Sequence, residues 1–316
     1  MSGPAGRPLP MVVPEPGLPD RVTIYEVGPR DGLQNEATTV PTEVKAEFVR
    51  RLLAAGLPIV EATSFVHPKW VPQLADAADL MTGLVADLGD TARELPVLVP
   101  NERGLDRALA LGMRHVAVFA SATETFAQKN LNRTLTSQFE MFQPTMVRAR
   151  DAGLTVRGYV SMCFGDPWEG AVDVDQVVGV GTHLLTLGAD QLSLGDTIGV
   201  ATPGHVRALV EAFGDAGVGP ERLALHFHDT YGQALTNVHA GLQAGVTTYD
   251  ASAGGLGGCP YAHSATGNLA TEDLLWFLTG LGIEHGVDLD AVAATSVWMA
   301  GQLGRPSPSA VVRALA

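Results

Sequence analysis

The sequence predicts an α/β protein, a (β/α)8 barrel with a short additional helical segment at its C-terminal end. Three observations lead there. Eight short β-branched runs, at 22–27, 59–63, 97–99, 115–120, 154–161, 191–194, 223–227 and 247–251, alternate with stretches of helical spacing. That is the pattern of parallel strands joined by helical crossovers. The 316 residues hold a barrel of about 250 residues with little left over. The first strand runs into Val27-Gly28-Pro29-Arg30-Asp31, without the G-x-G-x-x-G turn that a doubly wound dinucleotide-binding sheet would more naturally carry.

The elements follow in order. Residues 1–20, rich in Pro and Gly, read as a loose leader with Arg7 as its one basic residue, so neither a signal peptide nor a transit peptide is expected. Residues 21–316 read as a single catalytic domain. Helical spacing marks 42–55, 105–111, 175–187, 203–212 and 233–244. Four of these stretches are followed by glycine, at Gly56, Gly112, Gly188 and Gly245, where a helix C-cap turns left-handed. The tail after Leu281, with a helix at 289–303, is too short for a second domain.

Composition narrows the function. A chain that is 46% hydrophobic and 17% charged is not disordered in bulk. Twenty Lys+Arg against 34 Asp+Glu give a net charge of −14, which repels polyanions and argues against nucleic acid, leaving room for a local basic site for an anionic ligand. Two cysteines, Cys163 and Cys259, make no disulfide framework, so a reducing, cytoplasmic setting is expected. No apolar run reaches the roughly 18–20 residues that span a bilayer, so no membrane partner is expected.

On this fold the useful side chains stand at the C-terminal ends of the strands. Strand one leads into Arg30, Asp31 and Gln34, and strand two ends at Glu61-Ala62-Thr63-Ser64. Strand six is followed by Gly195-Asp196-Thr197, and strand seven ends at His226-Phe227-His228-Asp229. Strand eight leads into Gly254-Gly255-Leu256-Gly257-Gly258-Cys259-Pro260 and on to Asn268. Residues two apart on a strand share a face, so His226 and His228 can address one metal ion. The alternative is one inward histidine held by hydrogen bonds, with an accidental neighbour.

Asp31 supplies a carboxylate, and two imidazoles with one carboxylate leave positions open for substrate oxygens. Taken alone, Asp31 reads equally as a cap for the loop after it. Arg30 can stabilise a developing enolate or grip a carboxylate, or be a surface cation. Glu61, inside an apolar strand, needs a structural or functional partner if it is buried, and Asp196 is a similar case. Cys259 follows four glycines in five residues, a setting for close approach to a ligand and proton transfer rather than for a buried hydrophobe. Cys163 and the histidines at 115, 183, 205, 239 and 285 read as structural. The glycine run matches no phosphate-loop spacing.

Glu26-Val27-Gly28-Pro29-Arg30-Asp31-Gly32-Leu33-Gln34-Asn35-Glu36 resembles the opening signature of the 3-hydroxy-3-methylglutaryl-CoA lyase family, metal-dependent barrels that make and break carbon–carbon bonds through enolates. The resemblance continues in Glu61-Ala62-Thr63-Ser64-Phe65-Val66, in Ser193-Leu194-Gly195-Asp196-Thr197-Ile198-Gly199, in His226-Phe227-His228-Asp229-Thr230-Tyr231-Gly232-Gln233 and in Thr266-Gly267-Asn268-Leu269-Ala270-Thr271-Glu272-Asp273, covering about residues 22–282. It implies Asp31, His226, His228 and Asn268 as the residues at a Mg2+ or Mn2+ ion. It implies Arg30 and Gln34 as substrate contacts and Cys259 as the catalytic proton donor, with Glu61 and Asp196 supporting the site. The implied reaction is a retro-Claisen cleavage of 3-hydroxy-3-methylglutaryl-CoA. His226 or Asp196 takes the C3 hydroxyl proton, the C2–C3 bond breaks, and acetoacetate leaves with the enolate of acetyl-CoA, which Cys259 protonates. The family also implies an acyl-CoA partner and a homodimer.

Four positions depart from the family's usual residues: Ala37, His67, Asp166 and Trp168. They admit a relative acting on a different or bulkier 3-hydroxyacyl-CoA. A condensing synthase of the same superfamily is the other alternative, although its usual long C-terminal extension and lack of the loop cysteine do not match.

Overall fold

The computed structural model describes residues 10–258 and 267–315, so Cys259 lies outside the described residues. One sheet contains β1 (Thr23–Glu26), β2 (Ile59–Val60), β3 (Thr63–Ser64), β4 (Val97–Leu98), β5 (His115–Ser121), β6 (Thr155–Ser161), β7 (Gln191–Asp196), β8 (Leu223–Phe227) and β9 (Thr248–Ala251). All its pairings are parallel. The hydrogen-bonded order, β2-β1-β9-β8-β7-β6-β5-β4-β3, begins and ends on two halves of one stretch of chain. Glu61 N donates to Glu26 O on the β1 side at 2.9 Å, whereas Ala62 N donates to Pro96 O on the β4 side at 3.0 Å. The second strand therefore changes neighbours at residues 61–62 and closes the sheet into an eight-position barrel. The unbroken strand expected over 59–63 is interrupted there, because each half pairs on one side only.

Helices α1 (Thr42–Ala54), α2 (Ala77–Leu88), α3 (Asp90–Arg93), α4 (Glu102–Ala110), α5 (Glu124–Leu131), α6 (Ser137–Asp151), α7 (Val174–Leu187), α8 (Pro203–Asp215), α9 (Ala234–Gln243) and α10 (Thr271–Gly280) lie between or after the strands. Then come α11 (Leu289–Leu303) and α12 (Ala310–Leu315). The helical spacing at 42–55, 105–111, 175–187, 203–212 and 233–244 falls on α1, α4, α7, α8 and α9. All four glycines expected to end helices have positive φ, from 73° at Gly112 to 112° at Gly188. Helix α6 escaped the sequence pattern, and Pro144 inside it is one reason.

The main core lies between sheet and helices, where Ile24, Phe48, Leu192, Phe213 and Leu225 are fully buried. Each such side chain contributes roughly 1.5–3 kcal/mol. Leu98, Ala117 and Tyr159, with Phe119 against them, form a separate cluster on the other face of the sheet. Within the segment read as a loose leader, Val13 N donates to Gly280 O and Asp20 O accepts from Glu284 N, each at 2.9 Å. Among the described residues no helix is long and apolar enough to cross a membrane.

Candidate active site

The strand ends open into one cavity of about 640 Å³, whose lining includes Arg30, Asp31, Gln34, His226 and His228. β1 delivers the first three through a wide turn at Gly28–Gly32. The amides of Arg30, Asp31 and Gly32 converge on Val27 O at 3.2, 2.8 and 3.1 Å. Space requires glycine at 32, where a Cβ would lie 2.6 Å from Ser252 Oγ and 2.9 Å from Leu256 Cβ.

β8 carries the apolar run Leu223-Ala224-Leu225 into His226, and His228 follows with its ring 5.3 Å from that of His226. One ligand atom each from Asp31, His226 and His228 lies within 4.8 Å of the others. Asn268, distant in sequence, arrives by a short antiparallel pairing. Leu269 N donates to Phe227 O at 2.9 Å and Asp229 N to Gly267 O at 3.2 Å, placing Asn268 opposite His228. Its Nδ2 donates to Asp31 Oδ2 at 2.9 Å and to Leu256 O at 3.0 Å.

This donor set fits a divalent cation. His228 Nδ1 and Asn268 Oδ1 are buried with no hydrogen-bond partner among the described residues, a condition that a cation relieves. Two imidazoles, a carboxylate and an amide oxygen are ligands that divalent ions accept. Burial, helped by the neighbouring His226, pushes the His228 pKa down to about 4, so its imidazole is neutral as ligation requires. Burial alone would raise Asp31, but Arg30 and the two imidazoles outweigh it and hold the carboxyl at about 2.

Behind these groups stand side chains that sequence reasoning missed. His226 Nδ1 lies 3.2 Å from Asp250 Oδ2, which also accepts from the Ser193 hydroxyl at 2.8 Å, while Arg157 pairs with Asp250 Oδ1. A carboxylate on Nδ1 fixes the ring and leaves Nε2 as the free nitrogen. Burial would lower the pKa of His226, yet Asp250 reverses that and raises it. Asp250 is itself held down by Arg157 and His226 against the effect of its burial. The signal that singled out Glu61, an acid inside an apolar strand, was present at Asp250 too.

Glu61 has Arg30 as its partner: Nη2 donates to Glu61 Oε2 at 2.9 Å, and Nη1 donates to Asp31 Oδ1 at 2.7 Å. The Tyr159 hydroxyl also donates to Glu61 Oε2, at 2.7 Å, and the Arg30 guanidinium stands 5.0 Å over the Tyr159 ring. Asp196 differs. It is buried, it does not line the cavity, and its Oδ1 accepts from Val200 N at 2.8 Å and Ala201 N at 3.1 Å. Burial lifts it to about 6, with those amides pulling it back. Cys163 is fully buried and donates to Val160 O, and burial pushes its thiol up. Of Ala37, His67, Asp166 and Trp168, only His67 lines the cavity.

A family model described as HMGL-like matches residues 21–298. The chain is 49% identical to the mitochondrial hydroxymethylglutaryl-CoA lyase of Arabidopsis thaliana over 95% of its own length, spanning 63% of that protein. It is 48% identical to the mitochondrial enzyme of Rattus norvegicus, covering 94% of this chain and 90% of that one. Another Rattus norvegicus relative, 44% identical over 94% of this chain and 86% of its own length, is a 3-hydroxy-3-methylglutaryl-CoA lyase named as cytoplasmic. The crystal structure of the Pseudomonas aeruginosa hydroxymethylglutaryl-CoA lyase is similar with a TM-score of 0.90 at 45% identity, covering 95% of this chain and 98% of that one. An Acinetobacter baumannii HMG-CoA lyase in complex with coenzyme A and 3-methylmalate gives a TM-score of 0.87 at 36% identity, over 93% and 95% of the two chains.

Proposed function

As the chain belongs to the HMGL-like family, we infer that it cleaves 3-hydroxy-3-methylglutaryl-CoA to acetyl-CoA and acetoacetate. The observation that carries this reading is the meeting of Asp31, His226 and His228 beside the Arg30–Glu61 pair in one cavity. Asp31, His226, His228 and Asn268 would hold Mg2+ or Mn2+. Such a cation supplies Lewis acidity to substrate oxygens when bound.

The chain's own residues divide the remaining work. Arg30, fixed by Glu61, places its charge where the thioester oxygen becomes an enolate, and Gln34 borders the same space. The C3 hydroxyl proton has two candidate acceptors. Asp196 is turned to the amides of Val200 and Ala201 and shapes the turn after β7. His226 borders the cavity, and Asp250 stabilises its protonated ring, so the proton goes to His226. That role would use Nε2, the same atom His226 would offer to a cation, because Asp250 holds Nδ1, so His226 would accept the proton only while Nε2 is not a ligand. As the C2–C3 bond breaks, C3 becomes the ketone carbon of acetoacetate and C2 the nucleophilic carbon of the acetyl-CoA enolate. Cys259 delivers the proton to C2.

The reading for a bulkier substrate rests on residues that mostly lie off the cavity: Asp166 and Trp168 do not line it. The test is a coupled assay of acetyl-CoA release from 3-hydroxy-3-methylglutaryl-CoA, before and after chelation and readdition of Mg2+, with the Cys259→Ala variant beside it. Metal-dependent turnover, reduced by orders of magnitude in the variant, supports the assignment. A folded, metal-loaded protein without turnover sinks it. The barrel and its C-terminal helices, residues 21–316, act as one catalytic unit in this reading, and sedimentation would reveal a homodimer.

A further inference from the structure

The turn that contains two of the sequence departures does not touch the cavity, yet it grips a helix that does. Asp166 and Gly170 exchange both backbone hydrogen bonds at 2.9 Å, closing a small loop between β6 and α7. Asp166 is buried, and its Oδ1 accepts from Trp168 N at 2.7 Å and Glu169 N at 2.9 Å, stiffening that loop from within. Its Oδ2 accepts from the Thr123 hydroxyl at 2.6 Å.

Thr123 is the N-cap residue of α5, and its side chain caps no amide of that helix. An N-cap hydroxyl ordinarily accepts from the second or third amide of its helix. Here the hydroxyl is turned to Asp166, and the amide of Thr125 is taken instead by Glu169 Oε1 at 2.5 Å. The loop thus supplies from outside the cap that α5 does not supply for itself. A third contact follows along the helix: the Lys129 ammonium stands 5.0 Å over the Trp168 ring, and the Phe126 and Trp168 ring centroids are 6.5 Å apart.

Helix α5 and the residue after it border the catalytic cavity through Phe126, Lys129, Asn130, Leu131 and Asn132. The reacting end of the cavity is occupied by Arg30, Asp31 and His226. An acyl-CoA whose acyl head sits there must lead its long thioester arm out past another wall. An apolar ring, an amide and a cation are chemically suited to that arm.

We propose that the Asp166–Gly170 loop caps and positions α5 as the wall for the CoA arm, so that Asp166 and Glu169 set affinity for the acyl-CoA without touching the reacting atoms. This rests on the acyl-CoA reading above. Both residues are positioning residues. Their effect belongs on KM and on the binding of CoA itself, and not on the chemical step or the metal.

The experiment uses the full chain loaded with Mn2+. Calorimetry measures the Kd of free CoA and of Mn2+, and steady-state assays measure KM and kcat with 3-hydroxy-3-methylglutaryl-CoA. Loss of a helix cap is worth about a threefold to thirtyfold change in an equilibrium. Asp166→Ala and Glu169→Ala are therefore expected to raise KM and the CoA Kd together by about that factor, with kcat within about twofold and Mn2+ affinity unchanged. Asp166→Asn and Glu169→Gln keep an acceptor at each position and restore most of the affinity. Glu169 is exposed, so its variants fold even where Asp166→Ala does not.

Unchanged KM and CoA affinity in Glu169→Ala would overturn the proposal. So would a parallel fall in kcat and metal affinity, or failure of the conservative variants to rescue. A wild-type protein that binds CoA but does not cleave this thioester refutes the named substrate only. The CoA titrations of the variants then still decide the role of the loop. A wild-type protein that neither binds CoA nor cleaves the thioester overturns both, and one that cleaves it without affinity for free CoA overturns the proposal for the loop alone.

Discussion

Glu272 offers the sharpest test of how burial acts in this barrel. It lies in the first turn of α10, is fully buried, and has both carboxylate oxygens 3.0 Å from Gly254 N, with the Ser296 hydroxyl donating to one of them. Burial lifts its pKa from 4.5 to about 8, against the pull of those donors and with the nearby Glu26 adding to it. The native state therefore keeps a proton that the unfolded chain releases from about pH 4.5 upward. Stability is lost as pH rises between those two values. At about 1.4 kcal/mol per pH interval, the full span amounts to about 5 kcal/mol. Glu272→Gln keeps an acceptor for Gly254 N and removes the titration. Urea unfolding of metal-saturated protein should find the variant within about 1 kcal/mol of wild type at pH 5 and more stable by several kcal/mol at pH 9. Comparing the two proteins at each pH cancels the titration of the metal ligands, which they share. A difference that is the same at both pH values would refute the reasoning.

Three further outcomes follow from the geometry. Asp250→Asn loosens the orientation of His226, and calorimetry should find Mn2+ bound roughly 10–100-fold more weakly; undiminished affinity would remove Asp250 from that role. Glu61→Gln leaves the Arg30 guanidinium without its buried counter-charge, so kcat should fall about 10–100-fold while Mn2+ affinity changes little. Equal losses in both would mean that Glu61 acts through the metal and not through Arg30. Gly32→Ala drives a Cβ into Leu256 Cβ, which cannot swing away as a side-chain end would, and thermal unfolding should report roughly 1–3 kcal/mol of lost stability.

The fold was legible wherever periodicity is local. Alternation and helical spacing mark β5, β6, β8, α1, α7 and α9 because period two and period 3.6 are properties of a few consecutive residues. The break at residues 61–62 was not legible, since it arises from closure of the sheet and depends on Glu26 and Pro96, far away in sequence. The same division runs through the site. His226 and His228 announce themselves by spacing, and Glu61 by its apolar neighbours. Asn268 is placed by a pairing between residues 227–229 and 267–269 that no local pattern encodes. Asp166 reads from the sequence as a departure that admits a bulkier substrate, whereas its buried bond to the N-cap residue of α5 depends on Thr123, which no local pattern places beside it.

The charged groups behind the Asp31–His226–His228 cluster form two chains that end at the cavity. One runs from Glu61 through Arg30 to Asp31, the other from Arg157 through Asp250 to His226. Tyr159 joins them: its hydroxyl binds Glu61, and its ring lies 5.0 Å from the Arg30 guanidinium and 5.2 Å from that of Arg157. Two arginines balance two acids in this core, so the barrel interior carries little net charge beneath the Asp31–His226–His228 cluster. Apolar side chains of the same volume would often be as stabilising as such pairs. Their value here lies elsewhere. Each chain fixes one group that borders the cavity, Arg30 in the first and His226 in the second, the two that the proposed reaction would place at the enolate and at the hydroxyl proton. Both are set by partners on other strands before any substrate arrives.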